Sequence, residues 1–137
     1  MAGNKPVFVL DSFAILAYFQ AEAGGERVLE LLNDAREDKA KLAMSLINAG
    51  EVVYLMGRNR GRKITEALLK DLRNLPIAFY EASEERILAV AWIKAGHAIS
   101  YVDSFATALA QELKGTLVTG DPEFENIKDL QVLWLVK

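Results

Sequence analysis

Cysteine is absent from the 137-residue sequence, which excludes disulfide bonds, thiolate nucleophiles and sulfur-ligated zinc. Proline occurs only three times and no low-complexity tract is present, so the composition is that of a globular chain. No stretch approaches the roughly 18 apolar residues of a membrane helix, and Asp11 interrupts the N-terminal apolar run too early for a signal sequence. We therefore expect a cytoplasmic protein that does not contact membranes.

Positive charge is also scarce, since 16 lysines and arginines stand against 19 acidic residues and the net charge is −3. Proteins that bind nucleic acid through bulk charge usually have a basic surface, because they neutralise phosphates. Any nucleic-acid partner must therefore be bound locally, with cations as intermediaries. The length and the apolar fraction of 52% fit a single domain over residues 1–137.

Hydrophobic periodicity alternates along the chain between strand-like and helical patterns. Residues 7–10 form a continuous apolar run, which is typical of a strand covered on both faces, and we expect it to be the central strand. Further strands are predicted at 41–45, 77–80, 116–119 and 132–135, and helices at 13–19, 28–35, 46–57, 64–75, 83–96 and 102–113. This order predicts a layered α/β fold with a largely parallel sheet of four to five strands.

The predicted helix at 83–96 has apolar residues at positions i, i+3, i+4 and i+7, namely Leu88, Ala91, Trp92 and Ala95. This spacing places them on one face, which we expect to pack against the rest of the protein. We also expect both tryptophans, Trp92 and Trp134, to be core residues and not base-stacking ones.

Two acidic residues follow predicted strands. Asp11 ends the first strand, and Asp121 follows the fourth strand after a gap of one residue. Ligands of open parallel sheets bind at the carboxyl ends of the strands, so both acids are expected at one edge of the sheet. Helix capping is the alternative, because Asp11 could cap a helix that begins at Ser12, and Asp121-Pro122-Glu123 is a well-formed N-cap signal.

Two further acids, Asp103 and Glu51, lie in predicted helices. Asp103 is near the start of its helix, where the helix dipole alone would favour an acid. Glu51 lies one turn after Ile47 and one turn before Leu55, on a face that looks apolar. Because an unpaired buried carboxylate is costly, Glu51 has an ion-pair partner, an exposed face or a raised pKa, or it binds a cation.

Several carboxylates in one place would suit a divalent cation, which offsets their repulsion and accepts hard oxygen ligands. Without the cation, the repulsion should raise and couple the pKa values of the acids. Such a site can activate water and stabilise charge on a phosphate oxygen, so phosphodiester hydrolysis is the natural reaction.

Three stretches resemble the PIN-domain family, and within it the compact VapC-type toxin ribonucleases. In residues 9–18, Asp11 is followed by a small hydroxyl residue and an apolar helix; residues 47–52 surround Glu51. The strongest match is 101–124, which contains Asp103 and Asp121. The order and spacing of the stretches carry the resemblance, which covers essentially the whole chain.

The resemblance implies a three-layer α/β/α PIN-like fold and an endoribonuclease that depends on Mg²⁺ or Mn²⁺. It also joins the four acids into one site that holds the cation or cations and activates water: Asp11, Glu51, Asp103 and Asp121. Ser12 and Thr119 match hydroxyl positions that orient ligands or substrate, although a capping serine and a strand threonine explain them equally well. RNA, a cognate antitoxin and a second copy of the chain are the implied partners.

A dense basic cluster follows the helix that carries Glu51, and it consists of Arg58, Arg60, Arg62 and Lys63. These side chains could receive RNA phosphates near the acidic site. A solvated helix junction, or a patch that meets an acidic partner protein, is the alternative interpretation.

Two rival functions can be compared with this interpretation. Phosphatases of the haloacid dehalogenase type also have an aspartate after the first strand, but they need a second aspartate two residues later, where this chain has Phe13. A PIN-like module that binds RNA or a protein without cutting stays open as the alternative. Metal binding without cleavage of any RNA would favour it.

Overall fold

The computed structural model describes residues 4–136, and within them it contains one five-stranded sheet and six α-helices. The strands are β1 (Val7–Leu10), β2 (Lys41–Ser45), β3 (Ala78–Tyr80), β4 (Thr116–Thr119) and β5 (Val132–Trp134). The helices are α1 (Ser12–Phe19), α2 (Gly25–Arg36), α3 (Leu46–Arg60), α4 (Arg62–Arg73), α5 (Glu84–Gly96) and α6 (Tyr101–Leu113). A 3₁₀ helix, Pro122–Asn126, follows β4.

The sheet has the strand order β3-β2-β1-β4-β5, and all four pairings are parallel. The central strand is β1, as its unbroken apolar run predicts. In its register, Val9 lies opposite Ala43 of β2 and Leu117 of β4. The predicted layered fold with a largely parallel sheet is therefore confirmed, and the carboxyl ends of β1 and β4 are neighbours at one edge.

Helices cover both faces of the sheet, which makes three layers. One core contains Leu10 and Met44 of the sheet and is closed by apolar residues of α1, α2, α3 and α4. The other contains Val9 and Leu117 and is closed by α6 and the 3₁₀ helix, including Phe124. Because successive strand residues point to opposite faces, the neighbours Val9 and Leu10 belong to different cores.

Helix α3 is longer than predicted, since it continues through Gly57 to Arg60. The helix ends at Gly61, whose φ of 84° is readily adopted only by glycine. Gly57 instead lies inside the helix, and a Cβ there would be 4.0 Å from the hydroxyl oxygen of Thr65 in α4. Helix α3 is therefore ended by Gly61 and not by Gly57.

The apolar stripe of α5 is exposed, contrary to the prediction. Helix α5 packs mainly on α6, with Val90 fully buried, while Leu88 is 56% and Trp92 80% exposed. The helix is apolar on more than one face, so its spacing cannot tell which face packs inward. Trp134 on the edge strand β5 is also 41% exposed, so the prediction of two core tryptophans is wrong.

Among residues 4–136, no helix combines the length and the apolar character needed to cross a membrane.

Candidate metal centre

Acidic side chains from four elements lie at the carboxyl edge of the sheet. Asp11 directly follows β1, and Asp121 follows the neighbouring strand β4. Asp103 occupies the first turn of α6, and Glu51 lies in the second turn of α3. Their elements pack together, because α3 contacts α1 and α6, and both α1 and α6 contact β1 and β4.

Asp11 is buried and uses both carboxylate oxygens. Its Oδ1 accepts a hydrogen bond from the backbone N–H of Ala14 at 2.9 Å, which caps α1, while its Oδ2 accepts one from the hydroxyl of Thr119. The capping alternative is therefore realised through Oδ1, while Oδ2 is oriented by Thr119, which also bonds to the turn that carries Asp121. Burial raises the pKa of Asp11 to about 7, with smaller contributions from the charges of Asp121 and Glu51 and an opposing effect of the two hydrogen bonds.

Glu51 is half-buried and faces α1. The hydroxyl of Ser12 donates a hydrogen bond to Glu51 Oε1 across a separation of 39 residues. The charge of Glu51 also acts on Asp11, the residue before Ser12. Ser12 and Thr119 therefore each hold one carboxylate of the edge, which is the arrangement expected of residues that orient acidic side chains.

The backbone around Thr119 fixes Asp121. The N–H of Asp121 donates to the hydroxyl of Thr119 at 3.0 Å, and Asp121 Oδ1 accepts from the N–H of Glu123 at 2.9 Å, which caps the 3₁₀ helix. Between them, Gly120 passes so close to the ring of Phe13 that a Cβ there would overlap it. A side chain at position 120 would therefore require the Phe13 ring to move.

Asp103 is buried at 7% exposure, and the first turn of α6 holds it in place. The hydroxyl of Ser100 accepts a hydrogen bond from the N–H of Asp103 at 3.0 Å. The pKa of Asp103 is raised to about 7, first by burial and then by the charges of Asp121, Glu123 and Asp11, while the hydrogen bond with Ser100 opposes the shift. For both Asp11 and Asp103, burial is therefore the largest cause of the raised pKa, and the repulsion expected of crowded acids adds to it.

Glu123 is a fifth acid at this edge that the sequence interpretation did not include. One oxygen each of Asp103, Asp121 and Glu123 lies within 4.8 Å of the others, a separation that one cation can span. Glu123 also accepts a hydrogen bond from the N–H of Ser100, which ties the 3₁₀ helix to the start of α6. The position of Glu123 two residues after Asp121 could have indicated that it belongs to the site, but the N-cap pattern Asp121-Pro122-Glu123 explained this acid equally well.

The five acids are linked through their charges. The effects on pKa connect Glu51 to Asp11, Asp11 to Asp121 and Asp103, and Asp103 to Glu123. Carboxylate oxygens are the ligands that Mg²⁺ and Mn²⁺ prefer, and a cation would relieve the repulsion that raises these pKa values. The donor set therefore fits a divalent cation, which Asp103, Asp121 and Glu123 would hold most directly.

The basic cluster lies away from these acids. Arg58 donates to the hydroxyl of Tyr54 at 3.0 Å and stacks on its ring, and Arg62 pairs with Glu66 at 2.7 Å. All four basic residues, Arg58, Arg60, Arg62 and Lys63, are exposed. Within residues 4–136, no hydrogen bond or ion pair joins them to the five acids, so the structure does not bring them into the candidate centre.

We expect the affinity for Mn²⁺ to increase as the pH rises through about 7, because Asp11 and Asp103 must lose their protons before they can assist a cation. At about pH 6 the cation must displace a proton from each of these carboxyl groups. Each such proton should make the dissociation constant for Mn²⁺ roughly 10-fold higher than at pH 8. Calorimetric titration of the protein with Mn²⁺ at the two pH values measures this difference. Equal affinities would contradict the prediction.

Comparison with known proteins adds a family and a fold. The chain matches the family model of the PIN domain over residues 8–130. Among solved structures, it is similar to DNA-bound VapBC from Salmonella typhimurium, with a TM-score of 0.73 and 16% identity over 93% of this chain and 97% of that chain. No curated protein matches the chain in sequence.

Two further solved structures are similar. VapBC-1 from nontypeable Haemophilus influenzae has a TM-score of 0.69 and 24% identity, over 96% of this chain and 99% of that chain. VapC20 from Mycobacterium tuberculosis, a toxin that cleaves the Sarcin-Ricin loop, has a TM-score of 0.65 and 18% identity, over 87% and 92%. At these identities the likeness shows a common fold.

Proposed function

Because the chain belongs to the PIN domain family, we propose that it is an endoribonuclease that depends on Mg²⁺ or Mn²⁺ and hydrolyses RNA phosphodiester bonds. We propose further that it is the toxin of a toxin–antitoxin pair in the cytoplasm. The proposal keeps the four acids of the sequence interpretation and adds Glu123 to them.

One observation carries the proposal, namely the convergence of acids from separate elements beside a parallel sheet. Burying Asp11 and Asp103 next to further acids costs free energy, and it is not needed for helix capping alone, which works at an exposed position. A group of perturbed acids is typical of functional sites. Binding of a divalent cation would offset the cost.

The chain's own residues supply the holding and orientation in this proposal. Thr119 and Ser12 fix Asp11 and Glu51 through hydrogen bonds, so the two carboxylates keep their directions. When bound, a divalent cation would make water more nucleophilic near neutral pH and stabilise the charge that develops on phosphate oxygens. Asp103 and Asp121 would hold such a cation at the carboxyl edge of the sheet.

The test is cleavage of a mixed pool of structured and single-stranded RNAs by the purified protein with Mn²⁺ or Mg²⁺, with EDTA as a control. We expect cleavage that requires the cation and stops on chelation. Cation binding without cleavage of any RNA would overturn the nuclease and favour a module that only binds. Cleavage that persists in EDTA would overturn the metal dependence.

The basic cluster is proposed to receive RNA phosphates. Arg58 lies seven residues beyond Glu51 on α3, about 10 Å along the helix axis and on nearly the same face. Arg60 and Arg62 lie where α3 ends and α4 begins. A strand held at the acids could therefore continue along α3 to Arg58 and the helix junction.

We expect the double variant Arg60→Ala/Arg62→Ala to bind RNA more weakly and with a flatter salt dependence. Each lost phosphate contact should lower the slope of log K against log salt by about 1. Titration of a fluorescent RNA at several salt concentrations measures the slope, with the exposed Arg73→Ala at the other end of α4 as the control. An unchanged slope would exclude the cluster from RNA binding.

The exposed stripe of α5 supports the proposal that the chain forms a homodimer. Leu88 and Trp92 lie one turn apart on it, and large apolar patches of this kind usually mark interfaces. Two α5 helices that pair antiparallel through this stripe would bury Leu88 and Trp92 of one copy against the same residues of the other.

We expect Trp92→Glu to convert the dimer to a monomer, because a charge would be buried at the centre of the interface. Sedimentation equilibrium over a range of protein concentrations measures the mass. Leu29→Glu on α2, where an exposed leucine is also replaced, is the matched control and should remain dimeric. A wild-type protein that is monomeric at every concentration would contradict the homodimer.

A cognate antitoxin is also proposed as a partner. The similar structures from Salmonella typhimurium and Haemophilus influenzae are of VapBC, and another similar structure is of a toxin–antitoxin complex from Klebsiella pneumoniae. If this chain is such a toxin, its expression alone should arrest growth, and a variant without the metal site should not. Normal growth with active enzyme present would argue against a toxin.

A further inference from the structure

Asn48 is a fully buried polar side chain in the first turn of α3, three residues before Glu51. Its Nδ2 donates a hydrogen bond to the backbone carbonyl oxygen of Val102 at 3.3 Å. Val102 directly precedes Asp103 in the first turn of α6. The side chain therefore joins the turn before Glu51 to the turn that carries Asp103.

The other end of this amide has no partner. Asn48 Oδ1 is buried and, among the described residues, accepts no hydrogen bond. A buried amide oxygen without a donor destabilises a protein, and an apolar residue of similar size would avoid that cost. The neighbouring buried residues of α3, Ala49, Val52 and Met56, are apolar. The hydrogen bond to Val102 is thus formed at the cost of an unsatisfied oxygen, which offsets the stability that it contributes.

We propose that Asn48 is a positioning residue for the metal centre, which sets the separation of the Glu51 and Asp103 carboxylates by fixing α3 to the start of α6. The inference rests on the proposed metal-dependent nuclease. Within residues 4–136, the hydrogen bond from Asn48 to the carbonyl of Val102 is the one that joins these two helices directly between a side chain and the backbone. Without it, α6 can shift against α3, and the acids lose their common geometry while the apolar contacts persist.

The test is Asn48→Leu, which keeps the branched shape with a somewhat larger volume and removes the polar groups of the amide. We expect the metal-free variant to melt at or above the wild-type temperature and to bind Mn²⁺ about 10- to 100-fold more weakly, as when an outer partner of a ligand is lost. Mn²⁺ binding is measured by calorimetry, independently of activity. Asn48→Ser, which is smaller and cannot overpack the site, should also bind Mn²⁺ more weakly than the wild type.

Thr65→Val is the matched control, because Thr65 is also buried and bonded to a backbone carbonyl, that of Gly61, but lies in α4 away from α6. It should melt at a lower temperature and keep its Mn²⁺ affinity. Wild-type affinity in both Asn48 variants would overturn the positioning role and leave the proposed nuclease intact. A wild-type protein that neither binds Mn²⁺ nor cuts RNA would overturn both.

Discussion

Replacement of Asp103 by asparagine is expected to lower RNA cleavage by more than about 100-fold while the protein stays folded. Loss of an outer partner of a metal ligand typically costs 10- to 100-fold, so loss of a ligand itself should cost more. The side chain of Asp103 lies among the charges of Asp121, Glu123 and Asp11, and asparagine keeps its shape but removes its charge. The rate of cleavage of one defined RNA at saturating Mn²⁺ measures the effect.

Thermal unfolding separates this role from a purely structural one. If Asp103 holds a cation, Asp103→Asn should melt at a higher temperature than the wild type without metal, because repulsion is relieved, and gain little from added Mn²⁺. If Asp103 only favours the helix dipole, the variant should melt lower and respond normally to Mn²⁺. Asp129→Asn, a surface acid in the loop before β5, is the control and should behave as wild type.

Replacement of Asp11 by asparagine is expected to stabilise the metal-free protein at about pH 8 and to abolish its cleavage activity. Burial raises the pKa of Asp11 from 3.8 to about 7, so the ionised form is disfavoured by the order of 4 kcal/mol. Asparagine carries no charge, and its Oδ1 can still accept from the N–H of Ala14 to cap α1. The variant should thus be more stable than the wild type but inactive.

The pH dependence of this gain follows from the direction of the pKa shift. A carboxyl group with a raised native pKa stabilises the fold fully below its unfolded pKa of 3.8, and this contribution is lost as the pH rises to about 7. The difference in melting temperature between Asp11→Asn and wild type should therefore be small near pH 4 and largest above pH 7. A difference that is constant with pH, or a variant that melts lower throughout, would show that Asp11 is ionised without penalty.

The order of the elements could be predicted because it depends on local periodicity. The strands β2 and β4 begin and end where the sequence predicts, and β1 is central as its apolar run indicates. The orientation of α5 could not be predicted, because the helix is apolar on more than one face and only packing on α6 selects Val90. Trp92, which the spacing predicts to be buried, is exposed for that reason.

The positions of the candidate site residues could likewise be predicted only in part. Asp11 and Asp121 could be placed at one edge from the sequence, since each follows a strand and parallel strands end together. Glu123 could not, because its place beside Asp103 depends on how the 3₁₀ helix meets the start of α6. The sequence also left open whether the basic cluster receives RNA phosphates or forms a solvated helix junction, and in the structure Arg62 of this cluster pairs with Glu66 on its own helix.

The sequence by itself determined the layered fold and the edge at which a site would form, because strand ends and helix turns follow from nearest neighbours along the chain. The four acids were joined into one proposed site by the resemblance to the PIN-domain family. The tertiary structure decided which oxygens share that edge, which carboxyl groups are charged near neutral pH, and which apolar face is left for another molecule. These depend on contacts such as Thr119 with Asp11 and Asn48 with Val102, between residues 108 and 54 positions apart. Desolvation and repulsion act through space, so they appear only when distant segments are brought together.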